Sequence, residues 1–143
     1  MTHIKTARDI PVNTTQWGQD RDLSHAGPFR AFCVASFAMA LRRLGPANFL
    51  YSDGDALFAH GDRRKSPVTG KVAAPGLVYL LQDCPPTGTT MTGNGLSVTA
   101  TGQAIALVAS VPLTAETWQQ MTEGEVTVFL GGRIVGRRRG EPA

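Results

Sequence analysis

The segment Asn48–His60 constrains the fold most, because it joins two short apolar runs through the dipeptide Asp53-Gly54. Asp-Gly supplies the positive φ angles of a two-residue type I′ turn, which is the strongest short-range signal for a β-hairpin. This turn predicts a register that pairs Ser52 with Asp55, Tyr51 with Ala56, Leu50 with Leu57 and Phe49 with Phe58. Because side chains alternate along a strand, both faces of the hairpin are apolar. We therefore expect a sheet that is covered on both faces.

A helix is predicted before the hairpin, over residues 28–44. Apolar residues recur there at steps of three and four and predict its buried face: Phe29, Cys33, Phe37, Ala40, Leu41 and Leu44. Pro28 suits the first helical turn, and Arg42 and Arg43 complement the negative end of the helix dipole. Gly45 and Pro46 then end the helix.

Five or six strands are predicted in and after the hairpin. The continuous apolar runs 76–81 and 103–110 are typical of strands buried on both sides. Segments 126–130 and 133–135 flank Gly131-Gly132 and predict a second hairpin. Three further predictions are a short strand at 96–100, a mobile loop rich in Gly and Thr at 87–95, and a turn or short helix carrying Trp118 and Met121. One helix followed by a mainly antiparallel sheet of five to six strands is an α+β architecture.

Length and composition indicate a single domain. The chain has 143 residues, of which 42% are hydrophobic, and this suffices for a core. We divide it into a polar lead-in at 1–27, whose composition permits disorder, a folded body at 28–136 and a basic tail at 137–143. No apolar window is long enough for a membrane span and no signal peptide is evident, so we expect a cytoplasmic protein without membrane contact.

The charge pattern and the cysteines exclude several classes of site. The net charge of +3 equals the contribution of Arg137–Arg139, and no aromatic residues interleave with it, so nucleic-acid binding is not expected. Cys33 and Cys84 lack further ligands at zinc spacing, and Cys33 is expected to pack in the helix as a small apolar residue. Asp53 and Asp55 are too few ligands for calcium. The Gly-rich stretch 88–95 lacks the Lys-Ser/Thr pair of a phosphate loop, and no cofactor or metal is expected.

The densest polar cluster is His60, Asp62, Arg63 and Arg64, in a segment expected at the surface. A histidine beside a carboxylate can transfer protons, and paired arginines can hold an anionic group. The alternative is a solvated loop whose ion pairs contribute little to stability. A separate alternative is Thr2, since removal of Met1 would leave an N-terminal threonine with its own amine as base.

Three segments, 45–60, 108–114 and 116–125, resemble in order and spacing the back half of class II glutamine amidotransferases, in particular their small stand-alone branch. The resemblance spans roughly residues 35–136. It implies the αββα fold of N-terminal-nucleophile hydrolases, in which two sheets pack face to face between helices. The reaction that it implies is the hydrolysis of glutamine to glutamate and ammonia, followed by transfer of the ammonia to an acceptor.

The motifs that carry catalysis in that family are absent from this sequence. There, a cysteine after the initiator methionine becomes the N-terminal nucleophile, with its α-amino group as base. Here residue 2 is Thr2, and the pair Asn94-Gly95 lacks the histidine that precedes the family's oxyanion pair. The arginine and the aspartate that hold the substrate in the family also come from a front half that this sequence does not match. We therefore assign no catalytic residue.

Two situations reconcile the resemblance with the missing site. Either a front-half amidotransferase subunit supplies the cysteine, so that glutamine binds only in the completed site, or the chain is a truncated and inactive product. In the first situation, the surface left by the absent half would be an interface of obligate size. The competing hypothesis is a non-catalytic module that self-associates, as a homodimer for example, and binds an anionic partner through the loop His60–Lys65.

Overall fold

The computed structural model describes residues 28–93 and 95–139. Over these residues one helix precedes eleven strands. The elements are α1 (Pro28–Arg42), β1 (Phe49–Ser52), β2 (Leu57–Gly61), β3 (Arg64–Lys65), β4 (Val72–Ala73), β5 (Val78–Asp83), β6 (Thr89–Gly93), β7 (Leu96–Ala100), β8 (Ala104–Ala109), β9 (Gln119–Gln120), β10 (Glu125–Leu130) and β11 (Arg133–Arg139). The predictions for the lead-in 1–27, including Thr2, and for Asn94 lie outside the described residues.

The described part of the chain forms three stacked layers. The first sheet has the antiparallel order β1-β2-β10-β11, and α1 packs on one of its faces. The second sheet, β8-β5-β9, packs on the opposite face. Two smaller antiparallel pairs, β3-β4 and β6-β7, complete the described strands. This order of one helix followed by mainly antiparallel strands confirms the predicted α+β class.

Several individual elements differ from the prediction. The segment at 87–95, expected as a mobile loop, contains strand β6, which pairs with β7 and buries Met91. The segment after Trp118, where a turn or short helix was predicted, contains the two-residue strand β9. Both hairpins and the apolar strands β5, β7 and β8 are confirmed. The unpredicted strands are β3, β4, β6 and β9, which are short or rich in Thr and Gly and therefore lack a strong apolar pattern.

The helix buries a different face from the predicted one. The side chains that α1 places in the core are small: Ala31, Val34, Ala35 and Ala38. They pack against Phe58, Val126 and Val128 of the first sheet. Small side chains let the helix backbone approach the sheet closely. Phe29 and Phe37 are consequently 62% and 57% exposed. Cys33 is also exposed, so the expectation that it packs in the core was wrong.

The first hairpin has a four-residue turn instead of the predicted two-residue turn. The Asp53 carboxylate accepts hydrogen bonds from the backbone N–H groups of Asp55 and Ala56, at 3.0 and 2.9 Å, while Gly54 adopts φ +96°. These bonds shift the register by two residues, so Tyr51 faces Phe58 and Phe49 faces His60. A shift of two residues keeps every side chain on its predicted face of the sheet.

The charge of Asp53 contributes to this turn. The backbone N–H groups of Ala56 and Asp55 and the guanidinium of Arg30, 2.7 Å away, hold the pKa of the Asp53 carboxyl below its ordinary value. Stability from this carboxylate is therefore present above the ordinary Asp pKa and is lost as the pH falls through the lowered one.

The expectation that both faces of the hairpin are covered holds for β2 but was wrong for β1. Phe58 and Ala59 of β2 point to opposite faces and are both fully buried. Strand β1 is at the edge of the sheet, and Leu50 and Tyr51 are 50% and 49% exposed. The reason is topological, since β10 pairs with the other side of β2 and places it inside the sheet.

An apolar groove runs between α1 and the edge strand, and we name it the α1–β1 groove. Its volume is about 670 Å³, and its apolar lining consists of Phe29, Cys33, Val34, Phe37, Leu41, Phe49, Leu50 and Tyr51. The rings of Phe37 and Phe49 meet edge to face within it, with centroids 5.6 Å apart. At this groove, the aromatic side chains of α1 extend past the edge of the first sheet.

We predict that Phe58→Ala and Phe37→Ala differ strongly in their effect on stability. Phe58 is fully buried between helix and sheet, so its truncation should cost about 3–5 kcal/mol of unfolding free energy. Phe37 is mostly exposed, so its truncation should lower the unfolding free energy by about 1 kcal/mol, the contribution of one aromatic pair. Urea unfolding followed by circular dichroism measures both, and equal losses would show that the helix buries its aromatic side.

Candidate functional site

The predicted polar cluster is divided between the core and the surface. His60 and Asp62 are both fully buried, and His60 lies within β2. Arg63 and Arg64 are half-buried, and Arg64 begins β3. The expected surface segment therefore begins inside the sheet, and the prediction of a solvent-exposed loop was wrong for its first residues.

Asp62 is a structural carboxylate that holds the chain after α1. Its Oδ1 accepts a hydrogen bond from Arg42 Nε at 3.1 Å, and its Oδ2 accepts one from the backbone N–H of Ala47 at 3.2 Å. Its own backbone N–H donates to Asn48 Oδ1 at 2.7 Å. Gly76 must lack a side chain, because a Cβ there would overlap Asn48 Oδ1. These bonds anchor the connection between helix and hairpin to the end of β2.

The arginines beside Asp62 already have acidic partners. Glu123 Oε1 lies 3.1 Å from Arg42 Nη2 and 3.5 Å from Arg63 Nε. Asp62 Oδ1 lies 3.9 Å from the same Arg63 nitrogen. Two carboxylates thus balance the guanidinium groups of Arg42 and Arg63, which weakens the attraction of an anion to these two side chains.

His60 faces the helix layer, where burial disfavours its charged form. Its Nδ1 lies 3.2 Å from the carbonyl oxygen of Glu125, so Nδ1 carries the proton and donates it. Its Nε2 is buried and has no hydrogen-bond partner among the described residues, and the ring packs on Phe49 at 5.2 Å. Burial lowers the pKa of His60; the Glu125 carbonyl and the Asp62 charge raise it, and Arg42 lowers it, with a net decrease.

A second polar cluster, which we name the inter-sheet network, lies between the two sheets. It comprises Tyr79, Gln119, Glu125, Thr127 and Arg137. Arg137 donates to Tyr79 Oη at 2.6 Å and to Glu125 Oε1 at 2.9 Å, and Thr127 donates to the same Oε1 at 2.7 Å. Tyr79 in turn donates to Gln119 Oε1 at 2.5 Å. The network joins β5 and β9 of the second sheet to β10 and β11 of the first.

The sequence prediction missed this network because it placed Arg137 in a basic tail. Strand β11 continues through Arg139, and Arg138 stacks on the ring of Phe32 at 5.2 Å. Burial lowers the pKa of Arg137, but the hydrogen bond that Arg137 donates to Tyr79 and the charge of Glu125 outweigh it and raise the pKa. The sequence does carry one signal for this network. Glu125 and Thr127 alternate with apolar residues, which indicates that polar side chains lie on one face of a strand.

The described residues contain neither a group of side chains placed to hold a metal ion nor a cysteine with a free α-amine. No group of three or more His, Cys, Asp or Glu residues in 28–93 and 95–139 is placed to hold a metal ion. Cys33 lies on the exposed side of α1 and Cys84 is buried after β5, so neither thiol has a free α-amine. In the same part of the chain, no helix has the length and apolar character needed to cross a membrane.

We predict that Asp62→Asn destabilises the protein far more than Asp83→Asn. Loss of the buried charge should lower the unfolding free energy by about 3 kcal/mol. This is the lower end of the range for breaking a buried ion pair, because Arg42 keeps Glu123 as a partner. Asp83 forms the matched control pair with Arg133 at 3.0 Å on the surface, where less than about 1 kcal/mol is expected. Urea midpoints of the two variants test this, and similar values would contradict the anchoring role of Asp62.

The lowered pKa of His60 predicts a pH dependence of stability. Below pH about 6.5 the unfolded chain takes up a proton on this histidine more readily than the folded chain. Unfolding free energy should therefore fall as the pH drops from 7.5 to 5.5, and it should level off below the folded-state pKa. His60→Leu removes this contribution, so its curve should be flatter. Urea unfolding at each pH measures this free energy for the wild type and for His60→Leu. The same pH dependence in both proteins would contradict a lowered pKa at His60.

The family model for class II glutamine amidotransferases matches residues 18–141, which is most of the 143-residue chain. Searches of curated proteins and of solved structures gave no significant match. The matched segment includes the helix, both main sheets and both polar clusters described above. The chain therefore belongs to the class II glutamine amidotransferase family.

Proposed function

We propose that this chain is the back half of a class II glutaminase domain and that the catalytic cysteine is contributed by polypeptide outside these 143 residues. The observation that carries the proposal is the family match over residues 18–141 in a chain whose two cysteines lie inside a helix and directly after a strand. In the completed domain, glutamine would be hydrolysed to glutamate and ammonia. The chain supplies the packed sheets against which such a site is built.

The chemistry of the nucleophile supports this division. The reaction needs a thiolate whose own α-amine takes up its proton and is held beside it. Cys33 is inside a helix and Cys84 follows a strand, so the α-nitrogen of each is a peptide nitrogen and is not basic. Thr2 is the one N-terminal alternative in the sequence, and it lies outside the described residues.

The layering supports an incomplete sandwich. The described residues form a helix layer, a first sheet and a second sheet, which are three of the four layers of an αββα fold. No helix among the described residues covers the far side of the second sheet. A front half that brings strands and helices would supply both the missing cover and the nucleophile.

The alternative of an anion-binding module at His60–Lys65 has little support from the geometry. Of the two arginines in this loop, Arg63 lies within 4.0 Å of both Asp62 and Glu123. An anion would have to displace a carboxylate that is already paired and, at Asp62, fully buried.

We predict that the purified chain alone does not hydrolyse glutamine and that a complementary front half restores activity. The experiment mixes the chain with the first half of a class II amidotransferase domain that begins with a cysteine after removal of its methionine. Glutamate and ammonia are measured together. The matched control is the same front half with that cysteine changed to alanine, which should give no product.

Two variants of the chain decide between the proposal and its alternatives. Cys33→Ser and Thr2→Val should leave the reconstituted rate unchanged, because the proposal assigns neither residue a catalytic role. Hydrolysis by the chain alone that Thr2→Val abolishes would establish a threonine nucleophile. A series of front halves that bind but never release ammonia would contradict the split-site proposal.

A further inference from the structure

Strand β1 has an open edge in the described part of the chain. It pairs with β2 on one side only, over four residues in regular register. Edge strands commonly carry a lysine, a proline or a bulge that blocks pairing with another molecule. The sequence of β1, Phe-Leu-Tyr-Ser, has none of these features. The edge is therefore suited to accept a further strand.

The turn determines which backbone groups face this edge. Asp53 N–H donates to Ala56 O at 3.4 Å, which marks these two residues as a hydrogen-bonded pair. Hydrogen-bonded and non-bonded pairs alternate along an antiparallel ladder. Phe49 and Tyr51 therefore direct their N–H and C=O groups to β2, whereas Leu50 and Ser52 direct theirs to the open edge.

We propose that β1 pairs antiparallel with β1 of a second copy of this chain, around a two-fold axis at Leu50. This axis is perpendicular to the first sheet, so both copies keep their helix on the same side. The register places Leu50 opposite Leu50 as a hydrogen-bonded pair and places Phe49 opposite Tyr51 on the helix side. The two first sheets then join into one continuous sheet.

The edge is complementary to itself in this register. Leu50 meets an identical leucine, each aromatic residue meets an aromatic residue, and Ser52 meets the polar Asn48. Cross-strand aromatic pairs and aliphatic pairs stabilise antiparallel sheets. Two neighbouring registers also preserve the two faces. One pairs Tyr51 with itself and sets Phe49 against the charged Asp53, and the other pairs Phe49 with itself and sets Leu50 against the polar Asn48, so both are less favourable. A self-complementary edge is the feature expected of an isologous dimer.

The α1–β1 groove gives the second copy an apolar surface to cover. Phe29 and Phe37, both more than half exposed, lie on the helix above β1. In the dimer the two grooves meet across the axis, and the added strand with its aromatic side chains occupies the space beside them. This surface is continuous with the backbone edge, so pairing of the strands and burial of the aromatic residues occur together.

Sedimentation at increasing concentration of the full chain tests the proposal. The wild type should be a dimer, and Leu50→Lys should weaken dimerisation by about 100-fold or more, since two like charges meet at the axis. Val72→Lys is the matched control, because Val72 is also 50% exposed but lies on β4. A monomeric wild type up to about 100 µM, or equal weakening by both variants, would overturn the proposal.

A disulfide test fixes the register and does not depend on the folding of the lysine variant. In a Cys33→Ser background, Leu50→Cys places two thiols at a hydrogen-bonded pair, where Cα atoms are about 5.5 Å apart and within disulfide reach. Mild oxidation should give a covalent dimer, whereas the equally exposed Val72→Cys should stay monomeric on a denaturing gel. A dimeric wild type that does not cross-link at position 50 would overturn the proposed axis. This outcome is independent of glutaminase reconstitution.

Discussion

The two central strands of the first sheet, β2 and β10, are buried on both faces, and this burial positions the other elements. Phe58 and Val128 point to the helix and Ala59 and Thr127 point to the second sheet, and all four are fully buried. Removing apolar surface on both sides from water is the largest favourable term in folding. It requires a helix close to one face and a sheet close to the other. The alanine side of α1 meets the first requirement because it lets the helix backbone approach.

The same burial explains why the polar residues of this chain are structural. Glu125 and Thr127 lie on the inner face of β10, where an unpaired polar group would cost about 1–3 kcal/mol. Arg137 and Tyr79 pair them from the neighbouring strand and from the opposite sheet. A network that is forced by burial also fixes how the two sheets align, since its bonds join four strands. Asp62 has the equivalent role at the end of β2.

The class of fold and the two hairpins could be predicted from the sequence because they depend on local signals. Apolar runs of five or six residues and the glycines beside Asp53 and at 131–132 act within a few positions of the chain. The buried face of α1 could not be predicted in this way. Periodicity selects Phe29 and Phe37, whereas the sheet selects the small residues that permit close packing. The contacts of the polar cluster could not be predicted for the same reason, since nothing local shows that Asp62 meets Arg42 across 20 residues.

The edge strand links the family membership to the proposed dimer. The hairpin is apolar on both faces, so β1 has the composition of an interior strand although it lies at the edge of the described sheet. An uncovered edge of this composition is a template for pairing with another strand. A second copy covers it with the residues already present, and a front half of the amidotransferase domain would cover it with new ones. If both use the edge of β1, dimerisation and completion of the glutaminase site exclude each other. Dimerisation would then lower the concentration of free chain, so that more of this chain would be needed to complete a given amount of front half.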